Sequence, residues 1–183
     1  MTATAAAPGS SAADVLTDVI LLIFRVNGQL LAAGDQLIRH LNLTSARWQM
    51  LGAIAIADAP RTAPQLAAAM GMTRQGAQKQ LDLLVEGGLV MAQRNPRHAR
   101  SPLYGLTRKG ASVFAATERV QRPWAAQLAR ALPHADLHAA KRVLETLGDR
   151  LTAGEQNVRR SRQGGNDEIR RDGFNAAPRK TTR

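Results

Sequence analysis

Apolar residues recur every three or four positions near the start of the chain, as they do along one side of an α-helix. The stripe begins after Asp14, which can cap a helix, and continues to about His40. It consists of Val15, Val19, Leu22, Val26, Leu30, Ala33 and Leu37. A helix of that length extends about 40 Å. A small domain cannot cover it on every side, so we expect one face to pack on the chain's own core and another on a second subunit. The preceding residues 1–13 are predicted to be disordered.

The middle of the chain predicts three shorter helices separated by tight turns. Thr44, Thr62 and Thr73 each stand where a helix N-cap is expected, and the segment after Thr62 has a capping-box spacing with a proline in its first turn. Gly71 ends the second of these helices, and residues 87–88, both glycine, end the third. The last two helices therefore form a helix-turn-helix.

A β-hairpin is predicted directly after these helices. Residues 89–92 and 103–106 are short apolar segments that can pair as strands, while Pro96 and Pro102 keep the segment between them from being helical. A helix-turn-helix followed by such a hairpin predicts a mainly α fold with a small β-hairpin wing. The expected fold is a winged helix-turn-helix domain flanked by long dimerisation helices.

Two further helices are expected after the hairpin. Thr107 can cap the first, which Pro123 should kink. After Pro133 the second carries a coiled-coil-like seam, which we expect to help pair two subunits. The seam consists of Leu137, Ala140, Leu144, Leu147 and Leu151. From Ala153 apolar residues become sparse. The predicted organisation is a disordered tail (1–13), one domain (14–152) with its DNA-binding core at about 44–107, and a basic flexible tail (153–183).

The charge of the chain favours a polyanionic partner. The 183 residues have a formal net charge of +11 and a pI near 11.5. The tail from Ala153 has eight basic and four acidic residues, a net +4, which leaves +7 for the rest. Nucleic acid is the first candidate and an anionic membrane surface the second. No apolar run reaches the ~18 residues that span a bilayer. The first 13 residues contain no Lys or Arg, so we expect a cytoplasmic protein with no secretory signal.

The helix after Thr73 has two unlike sides. Its apolar side, expected to face the core, consists of Ala77, Leu81, Leu84 and Val85. Its polar residues include Arg74, Gln75, Gln78 and Lys79. Arginine can hydrogen-bond guanine and glutamine can hydrogen-bond adenine, each bidentately. An ordinary solvated helix face has a similar composition, so this helix alone leaves both interpretations open.

The hairpin loop changes that balance. Arg94, Arg97 and Arg100, followed by Arg108 and Lys109, lie in a short span without an acidic residue. A hairpin that is merely solvated would mix positive and negative charges. An unmixed cationic hairpin beside a polar helix indicates contact with phosphates or the minor groove. Together the two features favour DNA binding.

These residues resemble the winged helix-turn-helix of the MarR family of bacterial transcriptional regulators. The resemblance is carried by residues 43–44, 64–67, 71–73, 84–90, 95–101 and 106–110, and with the flanking helices it covers about 14–151. It implies a homodimer on double-stranded DNA, with recognition helices in successive major grooves and wings at the adjacent minor grooves. Half-sites would lie about 34 Å apart on a near-palindromic operator.

The resemblance also assigns roles by position. Arg74, Gln75, Gln78 and Lys79 take the recognition-helix role, and Thr73 a phosphate-contacting one. The wing arginines are Arg97 and Arg100, with Arg94 as a lesser candidate. The sequence departs from the commonest wing, in which an aspartate often orients the tip arginine, because Asn95 stands near that place. Family members often bind a small aromatic or anionic effector, and the residues that could line such a pocket are Arg25, Arg47, Trp48 and Trp124. Both tryptophans also fit a core position.

The chain has few residues that could support redox chemistry, metal binding or catalysis. The chain has no cysteine, which excludes disulfides, thiolate metal sites and thiol-based sensing. His134 and His138 have a metal-ligating spacing, but no residue completes a set, so we expect neither a metal nor a cofactor. Enzyme motifs are absent from the sequence. We expect a sequence-specific regulator, most simply a repressor, that an effector can release. The alternatives are a sequence-indifferent DNA-coating protein and a protein-interaction module.

Overall fold

The computed structural model describes residues 10–172, with side chains as far as residue 154. The first nine residues and residues 173–183, parts of the two predicted tails, lie outside this range. The described chain is mainly helical with one small antiparallel sheet. Its elements are α1 (Ala12–Ile38), α2 (Ser45–Ile56), β1 (Arg61–Thr62), α3 (Ala63–Ala69), α4 (Arg74–Glu86), β2 (Val90–Gln93), β3 (Leu103–Leu106), α5 (Arg108–Ala129) and α6 (His134–Asp172). The chain divides into two compact units between Ala126 and Gln127, near the end of α5.

Helix α1 begins at Ala12, three residues earlier than its apolar stripe predicts. Ser11, not Asp14, is the N-cap, and Asp14 completes a capping box by accepting from the Ser11 N–H at 2.9 Å. Hydrogen bonds from the Ser11 side chain and backbone lower the pKa of the Asp14 carboxyl. The helix ends at Ile38 and is followed by a 3₁₀ turn (Arg39–Leu41) that Asn42 closes in the left-handed region at φ 55°.

The caps predicted for α2, α3, α4 and α5 are confirmed. The Thr44 hydroxyl accepts from the Arg47 N–H, and the Thr73 hydroxyl accepts from the Gly76 N–H at 3.0 Å. At α3 the capping box is complete, since the Thr62 N–H donates to Gln65 Oε1 at 2.9 Å. At α5 the Thr107 hydroxyl accepts from the N–H three residues later at 2.9 Å. Each cap satisfies a backbone N–H that the helix itself leaves unpaired, which fixes where the helix begins.

Helix α1 also supports the start of α2. Asp35 Oδ1 accepts from the Ser45 N–H at 2.5 Å, and the Ser45 hydroxyl donates to the Leu31 carbonyl at 2.7 Å. The hydrogen bond from the Ser45 backbone is the main cause of a lowered pKa at the Asp35 carboxyl. At Gly34 an added Cβ would lie 2.5 Å from the Ser45 hydroxyl oxygen, so this close approach of α1 and α2 requires glycine.

The core lies among α2, α3, α4 and the sheet. Its fully buried large side chains include Met50 and Leu51 of α2, Leu66 of α3, and Leu81 and Leu84 of α4. The expectation that Val85 also faces the core is wrong, because its side chain is 38% exposed. On α4 the buried positions are 77, 81 and 84, spaced four and three apart, and Val85 falls one position beyond that narrow stripe.

The sheet has three strands in the order β1-β3-β2, both pairings antiparallel. The hairpin is confirmed, with Val90 opposite Leu106 and Gln93 opposite Leu103. Strand β1, which the sequence does not predict, consists of the two residues just before α3 and pairs with β3. Two residues are too few to show an alternating pattern. Because β3 is central, it connects the wing to the helix-turn-helix.

Helix α5 contains Pro123, and α6 continues beyond its leucine seam to Asp172. The sequence predicts a helix that ends near Leu151, but α6 is longer, because the polar residues that follow the leucine seam are compatible with helix. Within the second unit several leucines of α6 are exposed, including Leu144 at 49% and Leu151 at 64%. The domain limit at residue 152 remains a prediction.

Much of α1 is apolar and uncovered in the single chain. Leu21 is 61% exposed, Phe24 71% and Leu30 49%. By length and composition the segment Ala12–Leu41 could cross a membrane, and none of its most apolar 18-residue stretch is buried. Asp18 and Arg25 interrupt this segment, so the finding does not contradict the prediction that no uninterrupted apolar run is long enough to span a bilayer.

Candidate nucleic-acid interface

The N-terminal half of α4 presents polar side chains beside a helix terminus. Arg74, Gln75 and Lys79 are exposed, as is the capping residue Thr73. An N-terminus carries partial positive charge and attracts anions such as phosphate. At Gly76 an added Cβ would lie 3.1 Å from the Thr73 hydroxyl oxygen, so glycine keeps the cap uncrowded. This arrangement allows base-reading side chains and a phosphate-contacting cap on one helix end.

Gln78 differs from its neighbours because its side chain is already engaged. It is half-buried, and its Nε2 donates to Asp82 Oδ1 at 2.7 Å and to the Tyr104 hydroxyl at 2.9 Å. Tyr104 is 4% exposed and belongs to β3. From the sequence Tyr104 is predicted only as a strand residue, and its contact with Gln78 is not predicted. A contact across 26 residues of sequence leaves no local signal.

Asn95 organises the loop of the wing. It is 7% exposed, its Nδ2 donates to the Ser101 carbonyl at 2.8 Å, and its Oδ1 accepts from the Arg97 N–H at 3.0 Å. The side chain thus bridges the two ends of the loop. Its role is to shape the backbone that carries Arg97 and Arg100, in addition to any contact with an arginine side chain.

The wing arginines are available to an external anion. Arg94, Arg97 and Arg100 are all exposed. Among side chains described up to residue 154, the ion pair present is Lys141–Glu145, far along the chain from the wing. No acidic side chain in that range therefore neutralises these three arginines.

Part of the predicted site converges on a single groove of about 300 Å³. From α4 it is lined by Arg74, Gln75 and Gln78, from α3 by Ala63 and Pro64, and from the wing by residues 100–102. The structure thus brings Arg100 together with the recognition-helix residues. The other predicted DNA-contacting residues, Thr73, Lys79, Arg94 and Arg97, do not line this groove.

Lys109 has a structural role instead of extending the cationic wing. Its Nζ donates to the Gly87 carbonyl at 2.9 Å, at the C-terminus of α4. A cation there caps a free carbonyl and interacts favourably with the helix dipole. The positive charge of the wing is consequently carried by its arginines.

The residues proposed for an effector pocket do not line the groove. Arg25 is exposed on α1, and Arg47 Nε lies 3.4 Å from the Thr44 hydroxyl to which it donates. Trp48 packs against the core, 3.5 Å from where a Cβ at Gly34 would lie. Trp124 is half-buried in α5. The effector site stays a prediction.

The two histidines of α6 lie edge to face, with ring centroids 4.5 Å apart. Among the residues the structure describes, no cluster of three or more His, Cys, Asp or Glu could hold a metal ion. A pair of imidazoles is one ligand short of such a cluster.

A model of the MarR family matches residues 41–101, which contain α2, the helix-turn-helix and most of the wing. A relative from Mycobacterium tuberculosis, itself uncharacterised, is 37% identical over 107 residues, which are 58% of this chain and 73% of the relative. The chain belongs to the MarR family of transcriptional regulators.

Solved structures of regulators share this fold. The M. tuberculosis regulator MosR, in complex with DNA, is 25% identical, with a TM-score of 0.63 over 73% of this chain and 96% of MosR. CouR from Rhodococcus jostii RHA1, bound to p-coumaroyl-CoA, is 20% identical, with a TM-score of 0.64 over 72% of this chain and 92% of CouR. The winged helix-turn-helix predicted from sequence is therefore confirmed.

Proposed function

We propose that this MarR-family chain is a cytoplasmic repressor that binds a near-palindromic operator in double-stranded DNA as a homodimer. The observation that carries the proposal is the joint groove formed by the start of α4 and the base of the wing. Arginine and glutamine side chains from two elements line it, next to a helix N-terminus that attracts phosphate. The role is one of binding and not of catalysis.

The roles of the site residues follow from where each side chain lies. Arg74, Gln75 and Gln78 line the groove and are proposed to contact base edges, with Lys79 and Thr73 at phosphates. Arg94 and Arg97 are exposed and unpaired by acidic side chains within the range described, which suits phosphate or minor-groove contact. MosR, whose fold this chain shares, has been solved in complex with DNA, which supports a DNA-binding role for this chain.

The homodimer is proposed because α1 leaves a large apolar face uncovered. Leu22, Val26 and Leu30 are spaced four residues apart on one side of the helix, and each is 42–49% exposed in the single chain. Such a face is normally covered by a partner. Asp18 and Arg25 interrupt the same helix, and charges of this kind are costly inside a bilayer. A second copy of the chain is therefore the proposed partner, and a membrane is not.

The proposed function includes an effector that releases the DNA. The complex of CouR with p-coumaroyl-CoA shows that this fold can accommodate an anionic aromatic ligand. In this chain Arg47 beside Trp48 offers a cation and an aromatic ring, although Trp48 also packs against the core. A ligand would act by binding unequally to the two dimer geometries, which changes the spacing of the recognition helices.

Selection from a randomised duplex pool tests the proposal. At near-physiological salt we expect to recover an inverted repeat whose half-sites lie about one helical turn, roughly ten base pairs, apart. Recovery of duplexes without a preferred sequence, together with steep salt dependence, would indicate the alternative of a DNA-coating protein. Failure to bind any duplex at low salt would indicate a protein-interaction module.

A further inference from the structure

The side-chain amide of Gln78 has a fixed orientation. Asp82 has a carboxylate that accepts hydrogen bonds but cannot donate one, so the group 2.7 Å from its Oδ1 must be the amide nitrogen of Gln78. The reverse orientation would place two oxygens against each other. The Tyr104 hydroxyl, 2.9 Å from the same nitrogen, accepts its second proton. Both N–H groups of the amide are therefore occupied inside the protein.

The amide oxygen of Gln78 remains free. Oε1 makes no hydrogen bond with the described residues, and no buried side-chain nitrogen or oxygen among them lacks a partner. Oε1 is therefore accessible. Because Gln78 lines the groove shared by α4 and the wing, this oxygen is available to a ligand in that groove.

We infer that Gln78 reads DNA as a hydrogen-bond acceptor alone, and so favours an amino base, adenine or cytosine, on the strand that it faces. This inference rests on the proposed function. A glutamine that reads adenine bidentately accepts from N6 and donates to N7, and Gln78 has no N–H left to donate. The remaining oxygen can accept from adenine N6 or cytosine N4. It is repelled by the O6 of guanine and the O4 of thymine.

Asp82 and Tyr104 act in this account as positioning residues. They hold the amide from two sides and do not themselves contact the base. Tyr104 is almost fully buried in the central strand β3, so the reading position on α4 is linked to the wing sheet. Base preference at one position would then depend on a residue outside the recognition helix.

The experiment begins with the operator selected by the full-length protein and identifies the base pair whose preference disappears in Gln78→Ala. Four duplexes that differ there alone are then titrated with wild-type protein. We expect adenine and cytosine to bind about equally, and about two- to tenfold more tightly than guanine and thymine, as expected for one hydrogen bond. Gln80→Ala, on the same helix but outside the groove, should leave this pattern unchanged.

The positioning variants give a readout that a purely structural role would not change. Tyr104→Phe and Asp82→Ala each free one N–H of Gln78, so adenine should gain several-fold over cytosine at that position. Circular dichroism verifies that each variant is folded, and Tyr104→Phe keeps the buried ring.

The outcomes separate this inference from the proposed function. A wild-type protein that prefers adenine over cytosine, or that has no Gln78-dependent position in its selected operator, would overturn the acceptor assignment and leave the regulator standing. If no operator is recovered at all, the proposed function fails, and the inference fails with it.

Discussion

Asn95 provides the sharpest test of how the wing is built. Its side chain makes two hydrogen bonds inside the loop, to the Ser101 carbonyl and from the Arg97 N–H. Asn95→Ala removes both without changing the charge of the wing. At about 0.5–1.5 kcal/mol for each neutral hydrogen bond, the loss of folding free energy is about 1–3 kcal/mol. We expect the lower half of that range, since water can reach the backbone groups of this otherwise exposed loop.

The same change should weaken DNA binding through the shape of the wing. If binding to DNA requires the ordered loop, the lost stabilisation of about 1–2 kcal/mol is subtracted from the binding free energy, and Kd for DNA rises by about five- to thirtyfold. Denaturant unfolding measures the first effect, and fluorescence anisotropy at several salt concentrations measures the second. The slope of log Kd against log salt should not change, because every arginine is retained.

Ser101→Ala is the matched control. It retains the backbone carbonyl that Asn95 uses, so both stability and binding should stay near those of the wild type. The reasoning would be refuted if Asn95→Ala matched the wild type in both measurements. A decrease in the salt slope would also refute it, since that would mean a lost phosphate contact.

Four further predictions concern charge, packing, pH and assembly. Arg97→Ala should weaken all duplexes alike and reduce the salt slope by about one unit, and a change in base preference would contradict this. Gly110→Ala should destabilise the fold by about 1–3 kcal/mol in denaturant unfolding, because the added Cβ would overlap the carbonyl oxygen of Leu89, the residue before β2. Gly148→Ala is the control, since open space surrounds that position and the change should be neutral or stabilising. The pKa of the Asp35 carboxyl is lowered in the folded state. The charged carboxylate therefore stabilises the fold above the ordinary pKa of 3.8, and this stabilisation is lost as pH falls below that value. The free energies of unfolding of wild type and Asp35→Ala should converge at low pH. Val26→Asp, at a side chain 42% exposed in the middle of the apolar face of α1, should convert the proposed dimer to folded monomers in analytical ultracentrifugation, and an unchanged sedimentation coefficient would place the dimer interface elsewhere.

The helix starts could be predicted because their signals are local. Thr44, Thr62, Thr73 and Thr107 each cap within three residues of their own position, and the structure shows all four caps. At the start of α1 the prediction of Asp14 as the N-cap was wrong, because Ser11 is the N-cap. In a capping box the acidic residue stands three positions after the N-cap, so Asp14 takes part in the cap from within the first turn.

Contacts between distant segments could not be predicted. The hydrogen bond from Gln78 to Tyr104 and the one from Lys109 to the α4 C-terminus join residues more than twenty positions apart. They depend on how β3 and α5 are placed against α4, and the periodicity of hydrophobic residues along the sequence gives no information about that placement. Both bonds change the functional interpretation. The bond to Tyr104 occupies an N–H group of Gln78, and the bond to the Gly87 carbonyl holds Lys109 at the end of α4, where it does not add to the exposed positive charge of the wing.

The proposed regulator requires α4 and the wing together to recognise a particular DNA sequence. The ratio of two dissociation constants tests this, measured at near-physiological salt for a selected operator duplex and for the same duplex with its half-sites scrambled. We expect the operator to bind about a thousandfold or more tightly than the scrambled duplex. Nearly equal affinities would contradict it and would indicate a protein that coats DNA without reading it.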